Sequence, residues 1–136
     1  MAWAILDTSV YIDSWTAPDG LDLDSVRRGF VIRHSSVVLS ELRRGARTAA
    51  ARALVDELRK LARAEWEPSS EDWWKCGALV RDIGDAHDWD VRKRREFQND
   101  ALIALTARRH GAVVVTTNRA DFELLAVAIG VRLLVV

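Results

Sequence analysis

Three apolar runs, Trp3-Ala-Ile-Leu6, Ala112-Val-Val-Val115 and Val131–Val136, are too short for helices and lack strict polar alternation. Runs of this kind are strands buried on both faces. The segments between them carry helical periodicity. In Ala49–Ala64, Leu54, Val55, Leu58, Leu61 and Ala62 fall on one apolar stripe. Strands alternating with helices mean βαβ units and a largely parallel sheet covered on both faces. The expected fold is therefore α/β, a three-layer α/β/α arrangement around a mostly parallel sheet of about five strands.

The remaining elements follow from local chemistry. Asp7-Thr8-Ser9 suits the start of a helix carrying Val10, Tyr11, Ile12 and Trp15, stopped before Pro18-Asp19-Gly20. A second β-like run, around Val31 and again over Val37-Val38-Leu39, leads into Ser40–Arg44 and a stop at Gly45. Glu65-Trp66-Glu67 reads as a short strand, and Pro68-Ser69-Ser70 as the start of a helix over Glu71–Ile83. Gly84–Arg95 is the most polar stretch and is expected to be a loop or a drawn-out helix start. Phe97–His110 and Asp121–Ile129 read as helices, the first closed by Gly111.

No repeat, linker or low-complexity tract interrupts the 136 residues, so one domain over 1–136 is expected. With 49% hydrophobic residues and equal numbers of acids and bases, disorder is excluded. A single cysteine, Cys76, rules out an internal disulfide and a multi-cysteine zinc site; it reads as a small core residue in a reducing, cytoplasmic setting. Ala2–Leu6, closed by Asp7, is too short for a signal peptide or a membrane span, and no membrane partner is expected.

In parallel α/β folds, ligands bind outside the carboxyl ends of the strands, where the strand order reverses. Carboxylates fall at those places here. Asp7 follows the first strand, Asp121 follows the Ala112–Val115 strand by a short turn, and Glu41 opens the helix after the second strand. Asp100 lies near the start of the helix leading into Ala112–Val115. Each acid also has an ordinary explanation: Asp7 and Asp121 in helix caps, Glu41 and Asp100 as solvated carboxylates paired with Arg44 and Arg95. Gathered in one pocket, such charges repel by about 4 kcal/mol per pair at 4 Å in an effective dielectric near 20. They then raise their pKa values or recruit a cation. Ligands that are all oxygen suit Mg²⁺ or Mn²⁺ and disfavour zinc.

Four segments taken in order carry a family resemblance: Leu6-Asp7-Thr8-Ser9-Val10, Ser40–Gly45, Asn99-Asp100-Ala101-Leu102-Ile103-Ala104, and Thr116-Thr117-Asn118-Arg119-Ala120-Asp121-Phe122. Together they resemble the PIN-domain nucleases, and among these the VapC-type toxins of toxin–antitoxin pairs, over essentially the whole chain. The resemblance implies a metal-dependent endoribonuclease with its acidic cluster on Asp7, Glu41, Asp100 and Asp121, supported by Thr116 and Asn118. It implies Mg²⁺ or Mn²⁺ as cofactor, a VapB-like antitoxin partner and a homodimer. On this reading Asp7 and Asp100 are direct ligands, Asp121 holds a second or water-ligated ion, and Glu41 orients or deprotonates the attacking water. Thr116 and Asn118 hold the cluster in place. None of His34, His87 and His110 falls in the motifs; His110 reads as a dipole contact at a helix end. The Asp85–Arg95 stretch is more charged than the family pattern leads one to expect.

Zero net charge at first argues against an RNA substrate, but it is a sum of opposed blocks. Arg43–Arg63 holds seven bases and two acids, Glu65–Asp90 eight acids and two bases, and Arg92-Lys93-Arg94-Arg95 follows. Setting the four motif acids aside leaves 20 basic residues against 16 acidic. Arg43, Arg44, Arg92, Lys93, Arg94 and Arg95 are the candidate phosphate contacts. Of the six tryptophans, Trp3 and one of Trp73 and Trp74 are expected in the core, and Trp15 and Trp89 exposed. The apolar stripes near Trp15 and Leu54–Leu61 suit a homodimer interface or an antitoxin segment.

Other classes fit less well. A receiver-like signalling domain requires an acidic pair after its first strand and a late lysine, and neither stands in place. An inactive PIN-like binding module would have lost carboxylates. An RNA-processing PIN nuclease without an antitoxin differs only in whether a small antitoxin gene lies upstream.

Overall fold

The computed structural model describes residues 1–17 and 19–136. Pro18, at the expected stop of the first helix, lies outside them. The chain begins with β1 (Trp3–Leu6), α1 (Thr8–Thr16), α2 (Leu23–Gly29), β2 (Val31–Ser35), α3 (Ser36–Gly45) and α4 (Ala49–Leu61). It continues with β3 (Glu65–Trp66), α5 (Ser70–Ala86), α6 (Val91–Arg109), β4 (Val113–Thr116), α7 (Arg119–Ile129) and β5 (Arg132–Val135). The strands form a five-stranded sheet in the order β3-β2-β1-β4-β5, and every pairing is parallel. Helices flank the sheet, as the α/β reading predicts.

Strand burial explains why the central runs are so apolar. Ala4, Ile5 and Leu6 in β1, and all of Val113–Thr116 in β4, are buried, as strands covered on both faces must be. The chain winds outward from β1 to β2 and β3, then returns to β4 beside β1 and continues to β5. Strand order therefore reverses between β1 and β4, which makes their carboxyl ends the crevice of the fold. The ladder extends one rung past β1, where the Asp7 amide donates to the Val115 carbonyl at 2.9 Å.

α6 is the central helix, packed against α5, α7, β1 and β4. All residues of Ala101–Ala107 are buried, so this half is covered on every side, and its one polar side chain, Thr106, donates to the Leu102 carbonyl at 2.8 Å. Its first half is polar, which conceals its start. Asp90 caps it, accepting from the Lys93 amide at 2.8 Å, and α6 begins at Val91. Gly84–Arg95 is thus mostly helix, the end of α5 and the start of α6 joined by a short turn in which Asp88 takes φ 52°. At Gly84 the two helices approach closely: a Cβ there would lie 2.8 Å from Arg94 Nη1.

Three further expectations are corrected. Val37-Val38-Leu39 is the first part of α3, capped by Ser35, whose Oγ accepts from the Val38 amide at 3.4 Å. Val38, Leu39 and Leu42 are its buried residues, at the i, i+1, i+4 spacing of a helix face. The short helix α2, capped by Asp22, lies between Gly20 and Phe30, where the sequence pattern predicts no element. The tryptophans are reversed: Trp3, Trp73 and Trp74 are exposed, whereas Trp15 and Trp89 pack on the core. Trp89 meets Phe97 edge-on at 4.8 Å, and Trp15 lies 5.6 Å from Tyr11. On α4 only Val55 and Leu58 are buried, leaving Leu54 and Leu61 on the surface. Cys76 is buried as expected.

His110 follows α6 and stacks on Trp66 at 3.9 Å, with the rings 9° from parallel. Burial and then the Arg109 charge lower its pKa. α5 starts with a capping box in which Ser69 and Asp72 satisfy each other's amides at 2.9 and 3.1 Å. Asp72 also accepts from Arg109 Nε at 2.9 Å, tying α5 to the end of α6. Burial alone would raise its pKa, but the Ser69 amide and Arg109 hold it below the ordinary value. Asp72→Ala is expected to cost about 1–3 kcal/mol, read as an earlier midpoint in urea unfolding at neutral pH. Among the described residues, no helix is long and apolar enough to cross a membrane.

Candidate active site

Asp7 is placed by the end of β1 and by its own role as the cap of α1. Its Oδ1 accepts from the Thr8 amide at 2.8 Å, and its Oδ2 from Ser9 Oγ at 2.8 Å and Thr116 Oγ1 at 2.9 Å. Burial pushes its pKa up, and the hydrogen bonds from Ser9 and Thr116 oppose the rise. Thr116, at the end of β4, also accepts from the Asn118 amide at 2.9 Å. One hydroxyl thereby links the acid on β1 to the turn that begins α7.

Asn118 caps α7 and joins two more acids. Its Nδ2 lies 3.2 Å from Asp121 Oδ2 and 3.4 Å from Asp100 Oδ2. Asp121 is in the first turn of α7. Asp100 lies in the middle of α6, since that helix starts at Val91 and not near Phe97. Glu41 likewise sits well inside α3, because that helix starts at Ser36. Its Oε1 accepts from Thr8 Oγ1 at 3.0 Å. Four elements thus bring Asp7, Glu41, Asp100 and Asp121 to the crevice between β1 and β4.

The electrostatics record that convergence. Burial, then the charges of Asp7, Asp121 and Glu41, push the Asp100 carboxyl up to about 9. Glu41 is raised by burial and by Asp7, against hydrogen bonds from Thr8 and Asn99 and the charge of Arg44. Thr8, Ser9 and Asn99 therefore belong to the site, though the sequence reading gave them no role. The signal was their adjacency to Asp7 and Asp100: small polar residues beside a strand-end acid turn hydroxyls or amides onto it.

The basic block Arg92–Arg95 does not stay together. Lys93 turns inward, its Nζ 2.9 and 2.7 Å from the two oxygens of Asp121. Arg94 turns to Asp85 at 3.0 Å and to the Trp89 carbonyl at 2.9 Å. Arg92 meets Glu96 at 3.4 Å, and Arg95 is exposed. Arg43 and Arg44 are exposed on α3 and line a groove of about 550 Å³ with Ser36, Ser40, Val55 and Arg59. Arg44 also borders a second groove, of about 390 Å³, shared with Glu41, Asn99 and Trp73.

A parallel sheet with carboxylates gathered at the ends of its two middle strands defines an α/β domain whose crevice is built to attract positive charge. The chain belongs to the PIN-domain family, which matches residues 4–128. Among solved structures it is similar to VapBC-5 of Mycobacterium tuberculosis, a member of the VapBC family of toxin–antitoxin systems, with 28% identity, both chains covered in full (100% each) and a TM-score of 0.62. It is also similar to VapBC2 of Rickettsia felis bound to a promoter DNA fragment (21% identity, 98% of each chain, TM-score 0.69). A third likeness is to DNA-bound VapBC from Salmonella typhimurium (23% identity, 98% of each chain, TM-score 0.65). No curated protein sequence matches the chain.

The donor set fits a hard divalent ion: its candidate ligating atoms are carboxylate, hydroxyl or amide oxygens, and the charges of Asp7, Asp121 and Glu41 add to burial in raising the Asp100 pKa. Among the described residues, no three His, Cys, Asp or Glu side chains already stand as a metal cage. A metal held here would require closing of side chains that now face hydroxyl groups or Lys93.

Proposed function

We propose that this protein is a Mg²⁺- or Mn²⁺-dependent endoribonuclease toxin of VapC type, which hydrolyses RNA phosphodiester bonds until a VapB-like antitoxin covers its crevice. The observation that carries the reading is the acid cluster at the reversal of strand order, with Asp100 pushed up to about 9 by burial and then by the charges of Asp7, Asp121 and Glu41. Family membership and the VapBC likenesses support the nuclease and its antitoxin partner. Retention of all four acids favours an active enzyme over a binding module.

The roles follow from position. Asp7, at the end of β1, and Asp100, in α6, would hold the ion. A divalent cation there would lower the pKa of water and neutralise charge on the phosphoryl oxygens. Glu41, at the open groove and with its pKa already raised, orients the attacking water and accepts its proton. Thr116 and Ser9 keep Asp7 aimed into the crevice, and Asn118 bridges Asp100 and Asp121. Arg43 and Arg44, for which no ion pair occurs among the described residues, supply phosphate contacts beside Glu41. Trp73, exposed in the same groove, offers a face for an unpaired base. Leu54, Leu61 and Ile12 remain on the surface for a second copy or an antitoxin segment.

Purified protein supplied with Mn²⁺ or Mg²⁺ is expected to cut RNA and to spare DNA of the same sequence. EDTA should stop cleavage and added metal restore it. Cleavage indifferent to EDTA, or none with any RNA and either metal, would overturn the reading.

A further inference from the structure

Lys93 stands on the first turn of α6, seven residues before Asp100 and therefore on the same helix face. Its ammonium contacts both oxygens of Asp121, at 2.9 and 2.7 Å. Asp121 is the acid whose Oδ2 also receives the Asn118 amide. The lysine is braced: its Nζ lies 5.0 Å from the centre of the Trp89 ring, and Trp89 is itself fixed edge-on against Phe97. Two thirds of the Lys93 side chain is covered, and its partner Asp121 is only 11% exposed. A lysine so held differs from a solvated one that samples the pocket by chance.

Both Asp121 oxygens are thus already engaged by a cation that belongs to the chain. A divalent ion placed on Asp121 must share its carboxylate with the ammonium or displace it. It must also tolerate a fixed positive charge a few ångströms away, in a pocket partly shielded from water. Among the described residues no cation contacts Asp7 or Asp100. Their partners are hydroxyl and amide groups.

We propose that Lys93 is a built-in cation occupying Asp121, so that the site takes one divalent ion, held by Asp7 and Asp100, and not two. This inference rests on the metal-dependent reading above. Lys93 is a positioning residue in this scheme: it holds Asp121 and Asn118 in place and sets how many ions the cluster admits.

The test is the stoichiometry of Mn²⁺ binding to the full chain, measured by titration calorimetry and by the paramagnetic resonance signal of free Mn²⁺. The wild type is expected to bind one ion, Lys93→Met two, and Lys93→Arg one. Two ions on the wild type, or one on a folded Lys93→Met, would overturn the inference and leave the metal-dependent reading intact. No Mn²⁺ bound by the wild type would instead overturn that reading itself. Should Lys93→Met fail to fold, the wild-type and Lys93→Arg stoichiometries still decide: two ions on either refutes the inference.

Discussion

Asp7→Asn is expected to lower RNA cleavage by about a hundred- to a thousandfold or more, the range seen when a group bearing directly on reacting charge is removed. The substitution keeps shape and removes charge, so the fold should survive. The amide oxygen can still accept from Thr8, and the Ser9 and Thr116 hydroxyls can rotate to suit the new amide group. What is lost is an anionic ligand at the centre of the cluster. The measurement is cleavage of an end-labelled RNA in Mn²⁺, alongside thermal melting to confirm folding. A folded variant that cuts at the wild-type rate would remove Asp7 from the mechanism.

The second large effect concerns stability and runs in the opposite direction from activity. The Asp100 carboxyl is raised from 3.8 to about 9 in the folded protein. The unfolded chain gives up this proton near pH 4, the folded chain only near pH 9. Metal-free stability from this group is therefore fully present below about pH 4 and falls as pH rises towards 9, by about 1.4 kcal/mol per unit. Asp100→Asn removes the group that must take up a proton on folding. In EDTA at neutral pH the variant should be more stable by up to about 4 kcal/mol, a melting temperature higher by roughly 10–15 °C. Its melting should vary less with pH between 5 and 8 than that of the wild type. Mn²⁺ should raise the wild-type melting temperature and leave the variant's unchanged. Equal melting in EDTA would mean that the repulsion is relieved elsewhere.

The parts of the fold most legible in the sequence were those set by burial. β1 and β4 are continuous apolar runs because both of their faces are covered, and Asp7 stands out as the charge that ends the first. Glu41 and Asp100 were found as residues but put near the starts of their helices. Val37-Val38-Leu39 has β-branched composition with helical burial, and the polar first half of α6 hides two turns before Phe97. In both cases tertiary packing overrode local propensity. Lys93 was not legible as a partner of Asp121. The two are 28 residues apart, and a lysine inside a run of four bases reads as solvated until the turn of α6 shows which way it faces. The exposed tryptophans were missed for a related reason: nothing in Trp73-Trp74 says which side of α5 the core lies on.

The amide of Asp7 is the last rung of the β1–β4 ladder. The acid at the centre of the cluster is therefore part of the sheet, and its backbone cannot loosen without opening the two most buried strands of the domain. Fluctuations mild enough to leave the domain folded leave this residue where it is. A site anchored in this way has little scope to be switched off by internal rearrangement. Control falls to whatever covers its mouth.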